Sequence, residues 1–295
     1  MVVLVTGGSG MLGSYAAVQA AERGWETSAT YHSHPVELRG VQMMALDLAD
    51  LSQVSVAIRQ IEPEVIIHTA AQSKPDICEQ NHREADLANT LSTNNIVRAA
   101  EAIGAHIVYV STDLVFPGED HAYKPDDQPL PRNYYGMTKM AGENAVMESA
   151  VSWAIVRTSV IYGPRRFPHL NSFSDRVIES LRAGKAVTAF TDQTRCPIPA
   201  WNLADVCLEL AERGLTGIFQ AVCPRPSTRY EFAVKVAEVF CLDARLIVPM
   251  TMDQVPALAY RPKVLILDTT STSEVLNTRL LGFEEGICAL KGRIP

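Results

Sequence analysis

The chain has 295 residues, 47% of them hydrophobic and 20% charged, with a net charge of −7. That suits one large α/β domain, or a domain with a smaller appendage, and leaves enough apolar sequence for a sizeable core. The acidic balance and the lack of a Lys/Arg run argue against nucleic-acid binding, and no segment reaches the ~18 apolar residues that a membrane span needs.

In chain order, Val2–Val5 reads as a buried strand and Met11–Arg23 as a helix ended by Gly24. Thr27–Tyr31 and Val41–Ala45 are the next strands, Leu51–Ile61 a helix and Val65–His68 a fourth strand. A long helix is expected from about Glu84 to Ile103, followed by a strand at Ile107–Val110, a helix at about Tyr135–Glu148 and a sixth strand at Ala154–Thr158. These strands are near-continuous apolar runs, the pattern of a parallel sheet covered on both faces. Strand–helix alternation then gives the fold class: α/β, a Rossmann-type doubly wound parallel sheet. After Gly163 prolines 164, 168, 197 and 199 break the pattern, and helices follow at Phe173–Arg182, Leu203–Arg213 and Tyr230–Phe240. The expected organisation is an NAD(P)-binding domain over 1–163, joined again by about 200–218, and a smaller substrate-binding lobe over 164–199 and 219–295.

Six cysteines (78, 196, 207, 223, 241 and 288) show no C-x-x-C pair, and seven histidines show no H-x-x-x-H. Neither structural disulfides nor a metal site is expected. With no signal-like opening segment, the expected location is the reducing cytoplasm.

Gly7-Gly8-Ser9-Gly10-Met11-Leu12-Gly13 joins the first strand to the first helix and spells G-x-x-G-x-x-G with Gly7, Gly10 and Gly13. Gly7 permits a tight turn, Gly10 close approach of a pyrophosphate, and Gly13 close helix–strand packing. The helix N-terminus offers free N–H groups to phosphates. In NAD-type sites an acid follows about 20 residues on, at the end of the second strand, to bind the ribose 2′-hydroxyl. Here Tyr31-His32-Ser33 offers no acid, so the cofactor leans toward NADP(H) over NAD(H).

Tyr135 and Lys139 form Y-x-x-x-K, which puts both side chains on one helix face. A cation beside a phenol lowers its pKa and would let Tyr135 exchange a proton with a carbonyl or alcohol oxygen. Ser111, Thr112 and Asp113 close the fifth strand at the sheet edge where open α/β folds bind ligands.

These motifs resemble the extended short-chain dehydrogenase/reductase superfamily and, within it, the dTDP-4-dehydrorhamnose reductase family. Ser111 to Gly118 is similar to S-T-D-x-V-F-x-G. Tyr123-Lys124-Pro125-Asp126-Asp127 is similar to Y-x-E-x-D, with Pro125 replacing the acid. Tyr135 to Glu143 fits Y-G-x-[ST]-K-x-x-G-E, and Arg157 to Gly163 fits R-T-S-x-x-Y-G. Weaker likenesses follow at Asp192-Gln193 and Pro197, at Arg261-Pro262 and at Leu267-Asp268. The resemblance implies a Thr112–Tyr135–Lys139 triad, with Lys139 also on the nicotinamide ribose. It puts Ser9, Met11 and Leu12 with the glycines at the cofactor, Asp47 and Leu48 by the adenine, Ala70 and Ala71 along the cofactor channel, and Asn89 in support. His68 reads as a satisfied strand-end histidine. Ile198, Asn202 and Ile266 depart from the pattern on the substrate side.

The activity implied is NAD(P)H-dependent reduction of a nucleotide-linked 4-keto-deoxysugar, with a homodimer as a possible assembly. A nucleotide-sugar epimerase or dehydratase is the second enzyme reading, although Leu114 stands where a dehydratase usually has glutamate. A regulatory subunit of the methionine adenosyltransferase type is the non-enzyme reading.

Overall fold

The computed structural model describes residues 1–119 and 121–294. Pro295, the last residue of the expected lobe, lies outside them.

Seven parallel strands make the central sheet: β1 (Val2–Thr6), β2 (Glu26–Tyr31), β3 (Gln42–Ala45), β4 (Val65–His68), β5 (His106–Thr112), β6 (Trp153–Thr158) and β7 (Gly217–Gln220). Their spatial order is β7-β6-β5-β4-β1-β2-β3. The chain reverses direction across the sheet between β1 and β4, so a crevice opens at the carboxyl ends of those two strands. Strand side chains alternate between two cores, as the pleat requires. Val3, Val5, Ile67, Val108 and Val156 enter one, and Leu4, Ile66, Ile107, Tyr109 and Ile155 the other.

Helices α1 (Met11–Glu22) and α6 (Ala200–Arg213) cover the first face, while α2 (Leu51–Ile61), α3 (Ser92–Glu101) and α4 (Tyr134–Met147) cover the second. The expected helix over 84–103 is instead His82–Ala85, a π-helical stretch Asp86–Leu91, and then α3. Ser92 accounts for the wide turn, since its hydroxyl donates to the Leu87 carbonyl five residues back at 2.7 Å.

The sequence reading gave six sheet strands. β7 was missed because Gly217-Ile218-Phe219-Gln220 holds a single apolar pair, and its strand character comes from parallel pairing with β6. Outside the sheet lie α5 (Phe173–Arg182), α7 (Arg229–Val239), α8 (Phe283–Lys291) and, among the described residues, four two-stranded ribbons. Two ribbons matter for the site: Thr194–Arg195 pairs antiparallel with Ser227–Thr228, and Ala122–Tyr123 parallel with Ile266–Leu267. Among the described residues no helix is long and apolar enough to cross a membrane.

Candidate active site

The glycine loop lies at the mouth of the crevice. Gly7 has φ +73, a left-handed conformation that favours glycine. A Cβ on Gly13 would overlap the Gly7 carbonyl, so only glycine lets α1 start this close to β1. Gly8 N–H donates to the Thr30 carbonyl at 2.7 Å and ties the loop to β2. The N-terminus of α1 has no side-chain cap and no acid in its first turn. By contrast α2, α4, α5 and α7 are capped by Asp50, Asn133, Ser172 and Thr228. The first N–H groups of α1, at Met11 and Leu12, are thus left to a ligand, and an anionic one is favoured there. The site fits a dinucleotide diphosphate.

The structure brings Ser9, Tyr31, His32 and Ser33 to the corner between this loop and the end of β2. His32 and Ser33 are exposed, and His32 Nδ1 lies 2.9 Å from the Ser33 hydroxyl. Ala70 lies against Gly7, and both Thr69 and Ala70 N–H donate to Thr6 Oγ1 at 3.2 Å. Ala71 is exposed beyond it. Asp47 and Leu48 follow β3 at the far side of the cleft. Asp47 turns its carboxylate to its own Ala49 N–H at 2.9 Å, and Leu48 is buried with its carbonyl taken by Asn95.

Asn89 does not offer its side chain to a cofactor. It accepts from Gln72 N–H at 2.8 Å and donates to the Gln72 carbonyl at 3.2 Å and to Thr138 Oγ1 at 2.9 Å. With both N–H donors used, it clamps the loop after β4 to α4. His68 is bonded to Thr6 at 2.6 Å and to Thr93 at 3.1 Å. Burial, with the Lys139 charge adding to it, pushes its pKa down to about 3, so it is a neutral structural residue.

Helix α4 carries Tyr135 and Lys139. It is capped by the Asn133 side chain, which accepts from Gly136 N–H at 2.8 Å. Tyr134 anchors the same turn: its N–H donates to Glu79 at 3.0 Å and its hydroxyl to Asp86 at 2.8 Å. Gly136 and Gly142 let the helix touch its support, because a Cβ would overlap the Leu114 carbonyl at the first and the Tyr109 hydroxyl at the second. Glu143 is fully buried, where it accepts from Ser111 at 2.5 Å and from Arg157 through two bonds of 3.0 and 2.8 Å. These bonds fix α4 to β5 and β6.

Lys139 is buried with Nζ 4.0 Å from the centre of the Tyr109 ring. Burial pulls its pKa down to about 7, while Glu143 opposes that shift. The Thr112 hydroxyl donates to Asp113 at 3.2 Å and stands near enough to the Tyr135 phenol to favour its ionised form. The expected lowering of the Tyr135 pKa by a cation is not what this structure shows. Burial and then the Asp113 charge raise it, and only the Thr112 hydroxyl opposes them. Loss of water around the phenol dominates, and the buried Lys139, itself pushed toward its neutral form, does not counter it.

Sequence reading missed Asp113 as a site residue. It is buried, its pKa is raised by burial, and it is held by the Ser159 hydroxyl at 2.5 Å and by Thr112 at 3.2 Å. Arg195 Nε lies 4.0 Å from its Oδ2. A group of guanidinium ions also escaped notice. The Arg229 pKa is pulled down to about 10, by burial first and then by the charges of Arg195 and Arg176. Arg261 stands close by and pairs with Asp76 at 2.7 Å. Two of the three departing residues are structural: Ile198 is fully buried, and Asn202 bonds the backbone of Arg279 and Leu281 at 3.0 and 2.9 Å.

Residues 1–291 match the family described as RmlD substrate binding domain. The chain is 31% identical over 293 residues to the probable low-salt glycan biosynthesis reductase Agl14 of Haloferax volcanii, a match that covers 99% of this chain and 97% of that protein. It is also 31% identical over 264 residues to methionine adenosyltransferase 2 subunit beta of Xenopus laevis, covering 86% of this chain and 76% of that protein. Among solved structures it superposes on dTDP-4-dehydrorhamnose reductase of Bacillus anthracis in complex with NADP. That match has a TM-score of 0.87 at 26% identity and covers 99% of this chain and 98% of the other.

Proposed function

With the chain belonging to the RmlD family of extended short-chain dehydrogenases/reductases, and so to the NAD(P)-dependent oxidoreductases, we propose that it reduces the 4-keto group of a nucleotide-linked deoxysugar. The single observation that carries this reading is the Tyr135 phenol beside Thr112 and Asp113 at the carboxyl end of β5, with the buried Lys139 on the same helix face and Arg195 against Asp113.

When bound, the nicotinamide supplies the hydride that reduces the carbonyl carbon. Tyr135 donates its phenolic proton to the carbonyl oxygen as negative charge develops there, and the nearby Thr112 hydroxyl helps to hold that oxygen. With its pKa raised, the phenol carries its proton at neutral pH, the form that reduction requires. Lys139 holds the nicotinamide ribose and lends positive charge to the reacting oxygen. The glycine loop and the start of α1 hold the dinucleotide diphosphate, and Ala70 and Ala71 border its path. Asp47 and Leu48 lie toward the adenine, with Asn89 as a positioning residue.

Residues 164–199 and 219–295 serve as the substrate lobe on this reading. Arg195 and Arg229 carry more positive charge than Asp113 offsets, and that excess suits the diphosphate of a nucleotide sugar. The missing acid at Tyr31-His32-Ser33 favours NADP(H) over NAD(H).

Replacing Tyr135 by Phe leaves the fold and removes the acid. Reduction of a dTDP-4-keto-6-deoxysugar is expected to fall by about 10²–10⁴ in kcat, with nucleotide binding kept. Wild-type rates in Tyr135→Phe would overturn the mechanism. The likeness to a methionine adenosyltransferase subunit supports a second reading, as a regulatory subunit. Stable co-purification with a larger enzyme, together with no turnover of any nucleotide sugar, would favour that reading.

A further inference from the structure

Residues 164–170 leave β6 and cross the cofactor cradle before α5 begins. Pro164 and Pro168 stiffen this strap. Arg166 lies 4.0 Å over the Tyr15 ring on α1, and Phe167 packs against the core beneath. His169 reaches the glycine loop: its Nε2 is 2.8 Å from the Ser9 carbonyl. A carbonyl only accepts, so Nε2 carries the proton and donates. The other face of the cradle comes to meet it. His34, three residues beyond the end of β2, stacks on His169 with ring centres 4.2 Å apart and planes 17° from parallel. Phe167 also lies parallel to His169, within 5° at 5.7 Å.

The bridge closes over one corner. Gly8 ties the loop to Thr30 at 2.7 Å, so Ser9 and residues 31–34 border the same pocket. That corner, at the end of β2, is where a bound dinucleotide presents the 2′ position of its adenosine ribose. It holds His32, His34 and His169, with Arg166 on the same strap, and Tyr31-His32-Ser33-His34 contains no carboxylate. An acid here would bond a free 2′-hydroxyl and repel a phosphate. The His34 ring has an N–H to offer a phosphate monoester, while His169, whose Nε2 proton goes to Ser9, holds that ring in place by stacking.

We propose that the His34–His169 pair reads the adenosine ribose and selects a 2′-phosphate over a free 2′-hydroxyl. The strap at 164–170 is then a part of the cofactor site contributed from beyond the Rossmann half. The proposal rests on the NADP(H) reductase reading above and names residues that this reading does not use.

The test is a fluorescence titration of NADPH and of NADH against the wild-type chain, His34→Ala, His169→Ala and, as a remote control, the exposed His121→Ala. Both site variants are expected to weaken NADPH by about tenfold, the loss of one charge-assisted bond, and NADH by less than twofold. His121→Ala should change neither. Equal loss of both nucleotides would make the strap a structural closure, and no loss would make the pair a bystander; either overturns the inference. Wild-type turnover of a 4-keto sugar with such results would leave the reductase reading intact. Failure of the wild type to bind either nucleotide would overturn both.

Discussion

At Tyr135, burial and the Asp113 carboxylate hold the phenolic proton, while the Thr112 hydroxyl works the other way. On the proposed mechanism Tyr135 is the proton donor, and its coupling to Asp113 can be tested at the carboxylate. Asp113→Asn removes a negative charge and lowers the phenol pKa. Reduction requires the protonated phenol, so activity is lost as pH rises through that pKa. The alkaline limb of the pH–kcat profile is therefore expected to move to lower pH in Asp113→Asn, and an unmoved limb would sever Asp113 from Tyr135. Lys139 gives a stability test. Its folded pKa is about 7 against an ordinary 10.5, so between those values the unfolded chain binds more protons and stability rises with pH. Lys139→Met lacks this term. In the absence of cofactor its melting temperature should exceed that of the wild type most at pH 7 and below, and the gap should close as pH rises toward 10.5.

At the scale of elements, each helix that serves the site is shaped by a local rule. α1 is left uncapped where a ligand is wanted, while α4 is capped, anchored and pressed against β5. The pressing depends on Gly142, where a Cβ meets the Tyr109 hydroxyl. Gly142→Ala is expected to cost about 1–3 kcal/mol by overpacking, read by denaturant unfolding, with a loss of kcat because Lys139 lies one turn away on the same helix. Much of this scale was legible beforehand. β1, β4, β5 and β6 are rich in buried β-branched residues, and the glycine loop and Y-x-x-x-K are local spacings whose geometry follows from the element that carries them. The π-helical stretch was not legible, because it comes from the reach of Ser92 to a carbonyl five residues back, which leaves the apolar periodicity unchanged. Nor was β7, whose identity depends on a partner strand.

Over the whole molecule, the part of the site that sequence could not show is the part assembled from distant segments. Arg195 comes from one strand of a small ribbon, Arg229 from the start of α7, Arg176 from α5 and Arg261 from the segment before the last ribbon strand. No run of basic residues announces them, and the net charge of −7 points the other way. His34 and His169 meet only because the chain crosses back over the cradle. Asn89 shows the converse. The family resemblance named it in support of the site, but its place as a clamp with every donor spent needed the folded contacts.

The most direct test of the central claim is NADPH oxidation, followed at the nicotinamide absorbance, with dTDP-4-keto-6-deoxysugars against their 4-hydroxy counterparts. The proposed roles of Thr112, Tyr135 and Lys139 predict stoichiometric oxidation with a 4-keto substrate and none with its 4-hydroxy counterpart. Tight nucleotide binding with no oxidation by any 4-keto nucleotide sugar would contradict it.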